Sequence, residues 1–517
     1  MLGSGSRTDN LYALNAISLA LAVFLGSLDQ TIVATAIPRI ASDFSALDQV
    51  AWIGIAYMLT STASQPLYGR FSDIFGRKPV FLAATVIFLA GSLGCGAANS
   101  MVMLIIMRAI AGMGGGGFVP LVMIIIIDIA PLRQRGQYAG IVGAVFAFSS
   151  VIGPLLGGVF TDHATWRWAF YINLPIGFVT ILVTVFLLKL KSPTGSVREK
   201  LGRVDYLGTL LVLGFCITLL LPVNWGGAMY AWNSPLVIAL FCVAIALLGG
   251  FLFVEYRFAK EPIVPLRLFR TRSVCAICLG SLLFGWAFFS PIYYLPMFFQ
   301  TVRGSSATAS GLELLPFVLP ISVMAVVSGT ITSRVGGWTY RAFLSGGLAL
   351  STIALGLITL YGVETQRALE ICAMIMLGAG FGSAVQTSAL AGQASVASGD
   401  AAIITALNSF AQIIGGAIGL AVEGAVFNNK LSGALSEHAP ASSPHGDTSQ
   451  SVEAIRALPP GERDAYFNAF VNAFHMQYYV LIPVAGLAAL VYILVKPLSR
   501  KQGGGEGREE MVMIALH

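Results

Sequence analysis

The chain has 517 residues, of which 56% are hydrophobic and only 10% are charged, whereas an ordinary soluble domain has about 25% charged residues. This composition excludes an ordinary soluble protein. The net charge of +6 does not indicate a nucleic-acid partner, because the basic residues stand in short loops between apolar blocks rather than in one patch.

The apolar residues form blocks of about 20, the length that an α-helix needs to cross a bilayer. The blocks lack the alternation of a barrel strand, so the sequence predicts an all-α polytopic membrane protein. No small-residue cleavage pattern follows the first block, which indicates a retained span and not a signal peptide. The fourteen predicted spans cover residues 14–36, 51–71, 79–98, 101–127, 137–160, 167–188, 206–224, 235–255, 273–299, 311–332, 342–361, 368–391, 402–427 and 475–496.

Most of the 30 lysine and arginine residues fall in loops that would share one side of the membrane, which predicts cytoplasmic termini. A weak internal repeat, Gly69 to Gly76 against Gly329 to Gly336, predicts two six-helix bundles with two helices inserted between them. The predicted divisions are a first bundle at 1–188, an inserted pair at 189–272, a second bundle at 273–499 with an outer loop or partly disordered lid at 428–474, and a disordered tail at 500–517.

The loop after the second span carries the most specific pattern of the chain. It reads Gly69-Arg-Phe-Ser-Asp73-Ile-Phe-Gly76-Arg77-Lys78. Gly69 and Gly76 permit close backbone approach and a tight turn, and Asp73 is placed to accept from Arg77 or from a helix N-terminus. We expect a charge-paired latch here, although the positive-inside bias alone would also place basic residues in this loop.

At this point the chain resembles the major facilitator superfamily, whose signature follows this pattern between its second and third spans. Ile106 to Gly114 resembles the fourth-span motif of that family, and Gly143 with Val151 to Gly158 resembles its antiporter motif. Leu28 to Pro38 and Trp166 to Pro175 resemble motifs of the fourteen-span drug:proton antiporter branch, in its fungal type. The resemblance implies the major facilitator fold in a six, two, six arrangement.

Arg108 stands inside the fourth predicted span, where a charge costs at least about 2.5 to 3.5 kcal/mol unless it is hydrated or paired. The resemblance implies a role for this arginine in proton transfer or substrate handling, and Asp29 on the first span is the nearest candidate for its proton-binding partner. The alternative is that Arg108 is a satisfied packing residue. Other acidic residues, Glu423 among them, read as charges at helix ends.

The fifth span combines Gly153 and Pro154 with Gly157 and Gly158, and Gly143 precedes them. Proline removes a backbone hydrogen bond, and paired glycines allow close helix packing. We expect a hinge at the bundle interface, with a simple close-packing face as the alternative.

Polar and aromatic residues on four further spans are candidates to line a central cavity. They are Tyr57, Gln65, Trp286, Tyr293, Tyr294, Gln386, Asn408 and Gln412. The run from Gly112 to Gly117 matches the glycine pattern of a dinucleotide-binding site, but it lies in an apolar helix without a preceding strand. Cys275 and Cys278 have the spacing of a metal-binding pair, but a second pair of ligands is missing. We therefore predict no cofactor, no metal and no catalytic site.

The resemblance implies a monomeric secondary transporter in the plasma membrane that exports drugs, toxins or secondary metabolites by proton antiport with alternating access. Its partners would be a small-molecule substrate, protons and the lipid bilayer. The alternative is import of basic amino acids into a vacuole, with the protein in the vacuolar membrane. An enzyme is not indicated, because the five histidines are scattered.

Overall fold

The structure is a computed structural model that describes residues 5–44, 51–129, 132–188, 190, 196–226, 230–258, 262–305, 307–438 and 460–496. Its regular secondary structure is helical, apart from one isolated β-bridge between Gly226 and Tyr230. The helices of the first part are α1 (Gly5–Phe44), α2 (Ala51–Phe75), α3 (Arg77–Gly96), α4 (Met101–Gly115), α5 (Phe118–Ile129), α6 (Leu132–His163), α7 (Trp168–Tyr171) and α8 (Asn173–Leu187). Those that follow are α9 (Val197–Gly202), α10 (Tyr206–Trp225), α11 (Pro235–Arg257), α12 (Arg272–Thr301), α13 (Ala307–Glu313), α14 (Leu315–Val335), α15 (Thr339–Ile358), α16 (Arg367–Ala394), α17 (Ala401–His438) and α18 (Pro460–Ile493).

Eleven stretches of helix among the described residues are long and apolar enough to cross a bilayer. The chain is therefore a multi-pass membrane protein, as predicted. Helices α1, α2 and α6 occupy the other predicted spans, with 40, 25 and 32 residues, but they fall outside those eleven. In α2, the polar run at 60–65 lowers the mean hydropathy.

Helix packing in the first part recurs in the last. Helix α1 packs against α6 and α8, and α12 packs against α17 and α18 in the same manner. Helices α2 and α3 both pack on α4, while α14 and α15 both pack on α16. The two parts therefore share a pattern of helix packing, which agrees with the weak sequence repeat of Gly69 to Gly76 against Gly329 to Gly336.

The two parts of the chain meet along a seam, in which the most extensive contacts are those of α2 with α17 and of α6 with α14. Helix α5 also packs against α17 there. Helix α10 contacts both α2 and α17, so the inserted region lies against the seam. Any motion of one part relative to the other must change these contacts.

The predicted fourth span consists of two helices, α4 and α5, with a turn at Gly116 and Gly117. A Cβ at Gly112 would overlap the main chain of Tyr57, and one at Gly116 would overlap that of Ser61. The glycine run therefore lets the α4 chain approach α2 closely, as small residues do between membrane helices.

The prediction of an outer loop over 428–474 is wrong at both ends, because α17 continues to His438 and α18 begins at Pro460. Tyr466, Phe470 and Phe474, spaced four residues apart, are buried, and the rings of Phe427 and Phe470 lie 5.1 Å apart. This apolar stripe packs the first turns of α18 against α17. Residues 439–459 and the predicted tail at 500–517 lie outside the described residues.

Candidate functional site

Asp29 and Arg108 form a buried ion pair between α1 and α4. Arg108 Nη1 donates to Asp29 Oδ2 over 2.6 Å, and Arg108 Nε donates to the carbonyl of Ile53 over 3.1 Å. The residues are 0% and 2% exposed. The second oxygen of Asp29 accepts from Asn173 Nδ2 at 2.9 Å. Both oxygens of the carboxylate therefore have a donor inside the protein.

Aromatic and polar neighbours hold this pair in place. The guanidinium of Arg108 lies over the ring of Tyr57, 4.3 Å from its centroid, within cation–π range. Asn173 also donates to Ser92 Oγ at 3.2 Å, so the site joins α1, α2, α3, α4 and α8. Asn173 was not chosen from the sequence as a site residue, although it stands in the Trp166 to Pro175 motif that carried part of the resemblance.

The latch residues lie together at the junction of α2 and α3. The guanidinium of Arg77 contacts the carboxylate of Asp73 and donates to Asp128 Oδ2 at 2.9 Å. Gly76 has a φ of 100°, a conformation that favours glycine. Lys78 Nζ donates to the carbonyl of Val185 over 2.7 Å. Asp128, near the end of α5, completes this cluster.

Gly69 does not join the charged cluster. It faces α17 of the other part of the molecule, where an added Cβ would lie 3.2 Å from Ala406 Cβ and 3.4 Å from the carbonyl oxygen of Ala402. The glycine therefore permits the close approach of the two parts beside the latch.

The predicted hinge residues lie in α6. An added Cβ on Gly153 would overlap Thr31 of α1, whose hydroxyl donates to the Ser149 carbonyl at 3.2 Å. Gly157 is buried, and Gly143 faces Ala325 across the seam at 3.6 Å from its added Cβ. The surroundings of Pro154 and Gly158 lie outside what the structure describes. Close packing is thus present at Gly153, and bending of α6 stays a prediction.

The eight candidate cavity residues do not converge on one place. Asn408 and Gln412 both donate to Ser388 Oγ at 3.3 Å. The others are distributed: Tyr57 lies under Arg108, Gln65 is buried, Gln386 lies near Gly143, Tyr294 packs on Phe427, Trp286 contacts Glu423, and Tyr293 is 51% exposed.

Glu423 was predicted to be a helix-end charge, and this prediction is wrong. The residue lies well inside α17 and is 0% exposed. Its Oε1 accepts from Trp286 Nε1 of α12 at 3.2 Å. The error arose because the predicted span ended at 427, whereas the helix continues to His438.

Comparison with known proteins agrees with this architecture. The sequence profile described as "Major Facilitator Superfamily" matches residues 19–420. The MFS-type efflux pump MFS1 of Trichophyton rubrum is 38% identical over 91% of this chain and 89% of its own length. The rubrofusarin-specific efflux pump aurT of Gibberella zeae is 41% identical over 80% of this chain and 76% of its own.

Solved structures support the fold alone. The human organic anion transporter MFSD10 superimposes with a TM-score of 0.61 at 15% identity, over 93% of this chain and 99% of its own. The proton:xylose symporter XylE gives a TM-score of 0.61 at 14% identity, over 95% and 98% of the two chains. The profile match and the relatives establish that the chain belongs to the major facilitator superfamily, whose members are membrane transporters and not enzymes.

Proposed function

We propose that this chain exports small organic molecules across its membrane by proton antiport. The observation that carries the proposal is the buried Asp29–Arg108 pair, because a charged pair at this depth is rare unless it has a function. The efflux pumps to which the chain is 38% and 41% identical support export as the direction of transport.

The same proposal includes fourteen spans in a six, two, six arrangement. Helices α1, α2 and α6 would add to the eleven apolar stretches, since each exceeds the roughly 20 residues that a span needs. The bundles would cover 1–188 and 273–499, with α10 and α11 in the inserted region at 189–272. The recurring helix packing supports this division, and the working unit would be a monomer.

A proton bound to Asp29 would remove the charge that Arg108 pairs with. The guanidinium would then lie buried beside Tyr57, and among the described residues the Ile53 carbonyl would be its remaining acceptor, which is unfavourable for an uncompensated charge. Relief would come from movement of α1 against α4 and admission of water. In this mechanism, proton binding changes the relative free energies of two arrangements of the bundles, as alternating access requires.

The latch and the seam would set which arrangement is held. The Arg77 cluster ties α2, α3 and α5 together, and Gly69 brings α2 against α17. Opening the cytoplasmic face would separate α2 from α17, while Gly143 and Gly153 would allow α6 to tilt against α14 and α1. We place the protein in the plasma membrane, in keeping with export from the cell.

Export from intact cells tests the proposal. Cells would be loaded with rubrofusarin, a panel of fluorescent dyes, or radiolabelled lysine and arginine, with and without a protonophore. The variants are Asp29→Asn and Arg108→Ala. The control is Asp43→Asn, because Asp43 is an exposed carboxylate on the same helix and asparagine keeps an acceptor for its hydrogen bond from Trp166. Export lost in both variants and with the protonophore supports the proposal. Wild-type export in both variants contradicts the proton site, and vacuolar lysine uptake without dye export favours the basic amino acid alternative.

A further inference from the structure

Glu423 is a second buried carboxyl group, and its setting differs from that of Asp29. Its Oε1 has one donor, the indole of Trp286 at 3.2 Å. Its Oε2 has no hydrogen-bond partner within the described part of the chain. The described residues also include no ion pair to Glu423. Within that part of the chain, the carboxyl group is therefore buried without a compensating charge.

The described side chains of α12 and α18 that lie near Glu423 are uncharged. From α18, Gln477 Nε2 donates to the main-chain carbonyl of Glu423 at 3.0 Å, and the phenol of Tyr478 is buried close by. Tyr294 faces it from α12, a helix whose one charged residue, Arg272, stands at its first position. No described side chain from these two helices brings a positive charge to the carboxyl.

Two further titratable residues lie on the helices α17 and α18. His475, two residues before Gln477 in α18, is hydrogen-bonded through Nε2 to the carbonyl of Tyr361 at 2.5 Å. Lys430 lies about two turns further along α17 and is exposed. Helices α2, α5, α10 and α16 also pack on α17, but none of their described side chains forms an ion pair with Glu423.

Small residues on α17 close the site against α12. A Cβ at Gly415 would overlap the main chain of Leu282, and one at Gly419 would overlap the indole of Trp286. Gly415, Gly419 and Glu423 follow one another at intervals of four, so they share one helix face. Water can reach the carboxyl from this face only if α12 and α17 separate.

An ionised carboxylate buried between membrane helices without a cation beside it is strongly unfavourable. A neutral carboxylic acid would leave only one hydroxyl without a partner, which is less costly than an unpaired charge. The neutral form is therefore favoured in this arrangement. The free Oε2 is the atom that bears the hydrogen, since Oε1 already accepts from Trp286.

We propose that Glu423 is a second proton-binding site, in the second bundle, which holds its proton while α12 and α17 are packed and releases it when they separate. On release the Oε2–H bond breaks, the electron pair stays on the oxygen and the proton passes to the water that enters. This inference rests on the proposed proton antiport. It assigns a proton to each bundle, because Asp29 lies on α1 in the first and Glu423 lies on α17 in the second.

Infrared difference spectroscopy of the purified protein in lipid bilayers tests the site without any cargo. At neutral pH, Glu423→Gln should remove a carbonyl-stretch band of a protonated carboxylic acid, whereas Asp29→Asn should leave it. Glu364→Gln is the matched control, because Glu364 is an exposed carboxylate in the same half. Trp286→Phe should keep the band and shift it to higher frequency, since the carbonyl loses its donor.

A wild-type spectrum without such a band, or one that Glu423→Gln leaves unchanged, overturns the inference. The transport arm uses rubrofusarin export driven by a pH gradient in proteoliposomes, where Glu423→Gln should reduce the rate at least about tenfold, equivalent to about 1.4 kcal/mol. Wild-type rate and pH dependence in that variant would also overturn the inference. A protonated band in a protein that moves no protons would contradict the proposed antiport and leave Glu423 as a neutral packing group.

Discussion

Asp29 and Glu423 are acidic side chains of equal burial, both 0% exposed, in opposite halves of the chain. Asp29 receives a guanidinium and an amide, whereas Glu423 receives one indole. Burial alone therefore does not decide whether a carboxyl group is ionised or neutral. The neighbouring groups decide this, because a nearby cation favours the ionised form and an apolar setting favours the neutral one. The comparison predicts opposite responses when each residue is neutralised.

Asp29→Asn should give the largest effect. It leaves Arg108 buried without its anion, and removal of one partner from a buried pair costs about 3 to 5 kcal/mol. We expect a large loss of thermal stability in detergent together with loss of proton-driven export. The double variant Asp29→Asn, Arg108→Gln should recover part of the stability, because it removes the unpaired charge. A double variant less stable than Asp29→Asn would contradict the unpaired Arg108 as the cause of the loss.

The hydrogen bond between Asn173 and Asp29 should be next in size. A bond to an ionised group contributes about 1.5 to 3 kcal/mol. A double-mutant cycle with Asn173→Ala and Asp29→Ala measures this coupling, because alanine at either position removes the bond and the cycle cancels the other effects of each single change. A coupling energy near zero would mean that the amide does not help to hold the charge of Asp29.

The corresponding bond from Trp286 to Glu423 should be weaker. A hydrogen bond between neutral groups contributes about 0.5 to 1.5 kcal/mol. A double-mutant cycle with Trp286→Phe and Glu423→Ala measures this coupling, and thermal unfolding gives the free energy of unfolding of each variant. A coupling as large as that of Asn173 with Asp29 would indicate an ionised Glu423 and remove the contrast between the sites.

Glu423→Gln should have the smallest effect on stability, within about 1 kcal/mol, because glutamine keeps an acceptor for Trp286 and resembles the neutral acid. Thermal unfolding of this variant beside Glu364→Gln measures the difference. Destabilisation on the scale of Asp29→Asn would contradict a neutral Glu423.

The sequence predicted the membrane class, the family and the pairing of Asp29 with Arg108, because a charge inside an apolar block needs a partner and the motifs identified the family. The same reasoning could have selected Asn173, which lies inside a quoted motif, and Asp128, which lies at a helix end. It could not have selected Glu423. Its burial depends on α17 continuing to His438 and on contacts with Trp286 and Gln477, distant in the chain, which hydropathy does not report.

Proton movement coupled to cargo tests the central claim most directly. The purified protein would be placed in vesicles without a pH gradient. A gradient of a compound that the cells export would be imposed, and an internal pH indicator would follow the protons. We expect protons to move opposite to that compound in the wild type and in Asp43→Asn, and no such movement in Asp29→Asn. Passage of the compound through the wild-type protein without any change of internal pH would contradict proton antiport.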